Sequence, residues 1–299
     1  MLIDIHAHAY RAKAPHIRFC TLPELLCEQD RLGIDKSVVL PIVSPEIYFP
    51  QANEDILDMA AAYPERIIPF CNIDPRTGWN SPLTPFEKYL AYYKEKGCRG
   101  IGEVMPNLRT DDLKVQNLFR AAEAVGLPLT IDGSDQRDGD FGLYDEAGLP
   151  QLELSLRRFP GLVIFGHGPI FWGEIARLET PGEKGAPYRF AGGQFGRLPN
   201  HGQPIREEGV VAKLLRRYPN LHCDLSDCTA YNALTRDLAY TEAFIREFAD
   251  RMYFGTDIVC PGMPVPLIDT LAEWKRSGLI TEDAYRKITH ENAMSLLGL

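Results

Sequence analysis

The 299-residue chain has no CxxC pair, although it carries seven cysteines, Cys20, Cys27, Cys71, Cys98, Cys223, Cys228 and Cys260. An odd and scattered set argues against a zinc ribbon, a dithiol redox motif or a disulfide framework, and reads as reduced, mostly buried thiols. No apolar run approaches the ~20 residues that span a bilayer. Positive charge is also scarce: 32 Lys and Arg stand against 41 Asp and Glu, for a net charge of −9 and a pI near 5.3. That balance repels polyanions, which argues against nucleic acid and anionic membrane as partners. The N-terminus enters its first apolar run at once, with no basic leader region, so a cytoplasmic location is expected.

What is present is the balance of a globular enzyme, 45% hydrophobic and 24% charged residues. The length suits one (β/α)8 barrel, and a single domain over 1–299 is expected. Eight short runs rich in β-branched residues recur: LIDIHAH (2–8), KSVVLPIV (36–43), RIIPFCNI (66–73), CRGIGEV (98–104), LPLTID (127–132), GLVIFGH (161–167), NLHCDLS (220–226) and RMYFGTD (251–257). Segments of helical spacing separate them. One of these, 21–33, opens with a Thr21/Glu24 capping box and stops at Gly33; another, 116–126, sets Leu118, Ala121, Ala122 and Val125 on one face. Continuously apolar strands alternating with helices predict a parallel sheet under a helical cover, and eight units predict a closed TIM barrel. An extra amphipathic helix follows over 281–299, with Tyr285, Ile288, Ala293, Leu296 and Leu297 turned to the core. The Gly- and Pro-rich stretch 179–209, after the sixth strand, is too long for an ordinary connection. It reads as a lid, or as an arm to a second copy of the chain in a homo-oligomer.

Chemistry collects at the strand ends. His6 and His8, two apart on the first strand, point to one face and can grip one ion. Glu103 closes the fourth strand, His167 the sixth and Asp257 the eighth, and in a barrel these ends converge on the catalytic mouth. Two satisfied core imidazoles are the bland alternative for His6 and His8. Three of only seven histidines at strand ends favour a metal site.

The N-terminal HxH, GIGEV, VIFGHG, YFGTD and the closing ITHENAMSLLGL resemble the amidohydrolase superfamily. RRFPGLVIFGHG, RRYPNLHCDLS and RMYFGTD are similar, more narrowly, to its amidohydrolase-2 group, which includes metal-dependent decarboxylases of aromatic and related acids. The resemblance runs over nearly the whole chain. It implies a (β/α)8 barrel, one divalent ion, commonly zinc, and a hydrolase or decarboxylase activity. The group usually ends its fifth strand with a ligand histidine, whereas LTIDGSD offers Asp132. Asp132 can ligate, leave that coordination to Glu103, or mark a degenerate site; an Asx turn with Gly133 and Ser134 is its structural alternative. A carboxylate-rich shell widens the metal from zinc towards manganese or iron.

The resulting expectation is a metal-dependent hydrolase that uses a metal-bound water on a small carboxylate, lactone or amide. His6, His8, Asp257 and Glu103, with Asp132 second to Glu103, are the metal ligands. Asp257 takes the proton from the water, and His167 either stabilises the oxyanion or ligates the same ion. Tyr10 and Arg11, in the first strand-end loop, and Trp172 and Arg197, after the sixth strand, are candidate substrate contacts. Either arginine can pair with a substrate carboxylate or simply be a solvated loop residue. The rivals are a decarboxylase of an aromatic or related acid and a barrel that has lost catalysis and serves as a binding protein.

Overall fold

The computed structural model describes residues 1–47, 51–178 and 203–299, and in it each of the eight expected runs supplies a strand. These are β1 (Ile3–Ala7), β2 (Lys36–Val39), β3 (Ile67–Pro69), β4 (Ile101–Val104), β5 (Leu129–Ile131), β6 (Ile164–Gly166), β7 (Leu221–Asp224) and β8 (Met252–Tyr253). All pair in parallel, β1 to β3 in one ladder and β4 to β8 in a second, both in chain order. Two seams separate the ladders, and each is crossed by an isolated parallel bridge, Cys71 with Ile101 and Ala7 with Ile258. Across the second seam the Ile5 N–H donates to the Phe254 carbonyl at 3.0 Å. Sequential parallel strands joined by helices in this order make a (β/α)8 barrel.

The local signals hold where the sequence states them. Glu24 accepts from both the Thr21 N–H at 2.9 Å and its hydroxyl at 2.8 Å, and Gly33 ends the helix Leu22–Leu32 at φ 70°. The helix Leu113–Val125 begins three residues earlier than its periodicity suggests, because Asp112 caps it by accepting from the Lys114 N–H. The C-terminal helix differs in kind. It runs as Glu282–Arg286 and Asn292–Leu297 around a π-helical turn, Lys287–Glu291. A π turn releases carbonyls from the helical ladder, and the Ile288 carbonyl accepts from the Phe254 N–H of the chain leaving β8. Ile288, Ala293 and Leu297 are buried as expected, while Tyr285 and Leu296 are half-buried.

Ile3 and Ile5 pack with Leu40, Phe70, Phe165 and Tyr253, each fully buried aliphatic side chain contributing about 1.5–3 kcal/mol. The register of β1 against β2 shifts between Asp4 and Ala7. Beyond the shift, His6 and His8 meet polar groups instead of this cluster. Asp4 clasps β1, β2 and the chain after β8: its carboxylate accepts from the His6 and Thr256 N–H groups and from the Ser37 and Thr256 hydroxyls, at 2.8–3.1 Å. The described ends of the long insertion also pair, Arg177 N–H with the Glu207 carbonyl and Gly209 N–H with the Ile175 carbonyl, both at 3.0 Å. A short parallel ladder, Gly133–Ser134 with Leu143–Tyr144, was not evident in the sequence pattern.

Two predictions arise from the barrel interior. His222 is buried against Tyr253, whose hydroxyl lies 2.9 Å from Nδ1, and burial, helped by Arg251, pushes its pKa down to about 4. The folded protein refuses a proton that the unfolded chain accepts below about 6.5, so stability falls as pH drops from 6.5 through 4, by about 3 kcal/mol in total. His222→Asn, which keeps an acceptor for Tyr253, is expected to flatten that part of the profile in urea denaturation at stepped pH. Gly255 stands where a Cβ would lie 2.7 Å from Asp224 Oδ1, 2.9 Å from Ser226 Cβ and 3.3 Å from His6 Cβ. Gly255→Ala is therefore expected to cost about 1–3 kcal/mol in the same assay, and an unchanged midpoint refutes this close approach.

Candidate active site

The strand ends do converge. The two Nε2 atoms of His6 and His8 lie 3.1 Å apart. Glu103 Oε2 is 3.5 Å from each of them, and Asp257 Oδ1 is 3.5 Å from His6 Nε2 and 3.4 Å from His8 Nε2. His6, His8 and Glu103 thus form a three-donor group that can hold a metal ion, and Asp257 Oδ1 stands at the same range from both nitrogens.

The far sides of both rings explain why these nitrogens face each other. His8 Nδ1 lies 2.9 Å from the Leu40 carbonyl, which can only accept, so Nδ1 carries the proton and Nε2 presents a lone pair. His6 Nδ1 lies 2.7 Å from Asp224 Oδ2, which sets the same tautomer. Two lone pairs and two carboxylate oxygens crowded at these distances repel unless positive charge sits among them. Protonation behaviour agrees. Burial opposes the imidazolium form, yet Asp257 and Glu103 outweigh it and raise His8 to about 9. His6 is raised well above its ordinary value by Asp224, Glu103 and Asp257 against the same burial penalty. The Glu103 carboxyl, although buried, is held well below the usual range by His6 and His8. The donor set, two imidazoles and two carboxylates, fits a divalent cation.

Backbone geometry aims Asp257. It occupies the left-handed region at φ 55°, which Asp tolerates better than most residues, and its N–H donates to the His6 carbonyl at 2.7 Å. His167 sits beside this set, its ring 4.4 Å from that of His6 and its Nε2 3.6 Å from Glu103 Oε1. Its Nδ1 is 2.9 Å from the Ser226 hydroxyl. Asp132 falls in a neighbouring group with Glu103 and His167, not in the His6–His8 set. Its Oδ1 accepts from the Gly133 N–H at 2.8 Å, and burial, then the charge of Glu103, raises its pKa. Of the three outcomes open for Asp132, the geometry matches the one in which Glu103 occupies the position beside the two histidines.

The structure places Tyr10, Arg11 and Trp172, expected as substrate contacts, outside the lining of the cavity over the cluster. A cavity of about 340 Å³ opens over the cluster and is lined by His8, Glu103, Asp132, His167 and Asp257, but by none of those three. Arg11 is largely exposed and pairs with Asp55 and Asp58, because the loop carries it out toward the helix Asn53–Ala62. Tyr10 is buried and stacks on Phe19 with centroids 4.9 Å apart. Trp172 is buried against Phe171 and Phe244, its Nε1–H donating to the Asp224 carbonyl at 3.0 Å. Arg197 lies outside the described residues.

The sequence reading passed over Asp224, Ser226 and Asp227. Their signal was present: NLHCDLS ends in an acid and a hydroxyl at a strand terminus, the same pattern that singled out Asp257. Asp227 borders the cavity at φ 65°.

Comparison with known proteins gives the chain its relatives. The fold is shared with an uncharacterised TIM-barrel protein from Bordetella bronchiseptica at 18% identity, TM-score 0.61, over 99% of this chain and 98% of that one. A probable 2-pyrone-4,6-dicarboxylic acid hydrolase from Acinetobacter baumannii matches at 13% identity and TM-score 0.61, over 100% and 99%. The 5-carboxyvanillate decarboxylase of Sphingomonas paucimobilis matches at 17% identity and TM-score 0.59, again over 100% and 99%. No curated protein matches by sequence. No helix among the described residues is long and apolar enough to cross a membrane. The model of the amidohydrolase-2 family, described as amidohydrolase, matches residues 3–299, and the chain belongs to that family.

Proposed function

We propose that this protein is a metal-dependent hydrolase acting on a carboxylic ester, lactone or amide bond of a small molecule. The observation that carries the reading is the convergence of donor atoms from β1, β4 and the β8 end, with each carboxylate oxygen 3.4–3.5 Å from both imidazole Nε2 atoms and both tautomers set from behind. Two imidazole donors suit zinc, while the two carboxylates also accept manganese or iron. When bound, a divalent cation lowers the pKa of water to about 7 and polarises a carbonyl.

The chain's own residues do the rest. His6, His8, Glu103 and Asp257 hold the cation. The Asp257 side chain is the partly exposed member of the set, so its second oxygen is available to take a proton from the attacking water and return it to the leaving group. His167, fixed through Ser226, borders the cavity and donates from Nε2 to the oxyanion that develops on the substrate. Asp224 and the Leu40 carbonyl keep the imidazoles from rotating, so the set is preorganised before substrate arrives.

Elemental analysis after zinc loading is expected to find about one ion per chain, and close to none in the His6→Ala/His8→Ala double variant. Full retention by that variant refutes the ligand assignment. Asp257→Asn is expected to lower turnover by roughly 10²–10⁴-fold, with circular dichroism unchanged. Turnover equal to wild type removes Asp257 from the chemistry. Both are read on a panel of lactones, esters, amides and aromatic acids, with carbon dioxide followed separately; its release without hydrolysis identifies a decarboxylase instead.

A further inference from the structure

The cavity that opens on the metal set is walled by hydrocarbon. Phe19, Ile42, Met105, Phe141, Val259 and Met263 form its sides, and its volume of about 340 Å³ is in the range of small-molecule sites. Its polar lining is acidic. Beyond Glu103 and Asp257, whose two charges balance a divalent cation, Asp132, Asp140 and Asp227 also border it; burial and the charge of Glu103 push Asp132 toward its neutral form, and among the described residues no lysine or arginine lines the cavity. The Asp140 carboxylate is held by two neutral donors, the Ser134 hydroxyl at 2.8 Å and the Phe141 N–H at 2.9 Å, so its charge is solvated but not cancelled. Arg11 of the first loop is paired with Asp55 and Asp58 outside the cavity.

We propose that the substrate is an uncharged or cationic ester, lactone or amide with an apolar body, that substrates carrying a free carboxylate are rejected, and that Asp140 and Asp227 set this selectivity. The inference rests on the hydrolase reading of the same cavity and narrows it. Apolar walls take the body, and the carboxyl oxygens of Asp140 and Asp227 accept from hydroxyl, amide N–H or ammonium donors on the substrate, while negative charge on the lining repels an anion in a site of reduced dielectric. Hydrolysis adds water across the acyl C–O or C–N bond and yields an acid with an alcohol or amine. The new carboxylate then meets the same acidic lining, which favours its departure.

Calorimetric titration of the zinc-loaded, full-length protein with terephthalamide and with 4-carbamoylbenzoate tests this directly, since the two differ by one charge at nearly constant shape. The neutral diamide is expected to bind at least tenfold more tightly. Asp140→Asn and Asp227→Asn are each expected to improve binding of the carboxylate at least threefold relative to the diamide. Equal or tighter binding of the carboxylate, a ratio unmoved by both substitutions, or no binding of either probe overturns the proposal. Loss of hydrolysis across the substrate panel with the binding ratio intact removes the hydrolase reading and leaves the charge selectivity standing.

Discussion

Everything at the mouth of this barrel follows from two imidazole lone pairs held 3.1 Å apart. Such a pair is unfavourable by itself, and the protein makes it unavoidable. The Leu40 carbonyl and the Asp224 carboxylate consume the Nδ1 protons, so neither ring can turn its N–H toward the other. Two carboxylates from β4 and the end of β8 then close the group. The arrangement is electrostatically sensible around a cation, and around protons in its absence, which is why both histidines are strongly basic.

Keeping these groups together requires backbone from distant parts of the chain to approach closely. Asp4 ties β1 to β2 and to Thr256, the residue before Asp257. Asp257 in turn donates its N–H to the His6 carbonyl. Gly255 leaves room for Asp224 and Ser226 to come in beside His6. The amidohydrolase-2 barrel thus supplies a frame in which strand ends are fixed, while the cavity above is furnished by loops. Two of the relatives are named for acids, a dicarboxylic acid and a carboxyvanillate, at 13% and 17% identity. Shared fold at that distance says little about ligand charge, and the walls here combine hydrocarbon with acid.

Much of the frame was legible in the chain. Eight apolar runs, each flanked by helical spacing, gave the strands in order, and capping at Thr21 and Gly33 marked a helix to the residue. Glu103 and Asp257 were recognisable because an acid that ends an apolar strand has few structural reasons to be there. The positions of Arg11, Tyr10 and Trp172 away from the cavity lining were not legible, because adjacency to a motif says nothing about where a loop carries a side chain. The C-terminal segment kept its apolar spacing but hid its π turn, since that turn answers to an N–H donated by Phe254.

By itself the sequence determined which residue types stand at the strand ends, and that His6 and His8 share a face, because strand alternation is a local property of the backbone. Only the tertiary structure decided that Glu103, rather than Asp132, completes the set with the histidines, and that Asp224 and Leu40 orient the rings. Those outcomes depend on differences of an ångström or two between segments more than 30 residues apart. Such distances are set by how barrel strands register and turn, which no short stretch of sequence encodes.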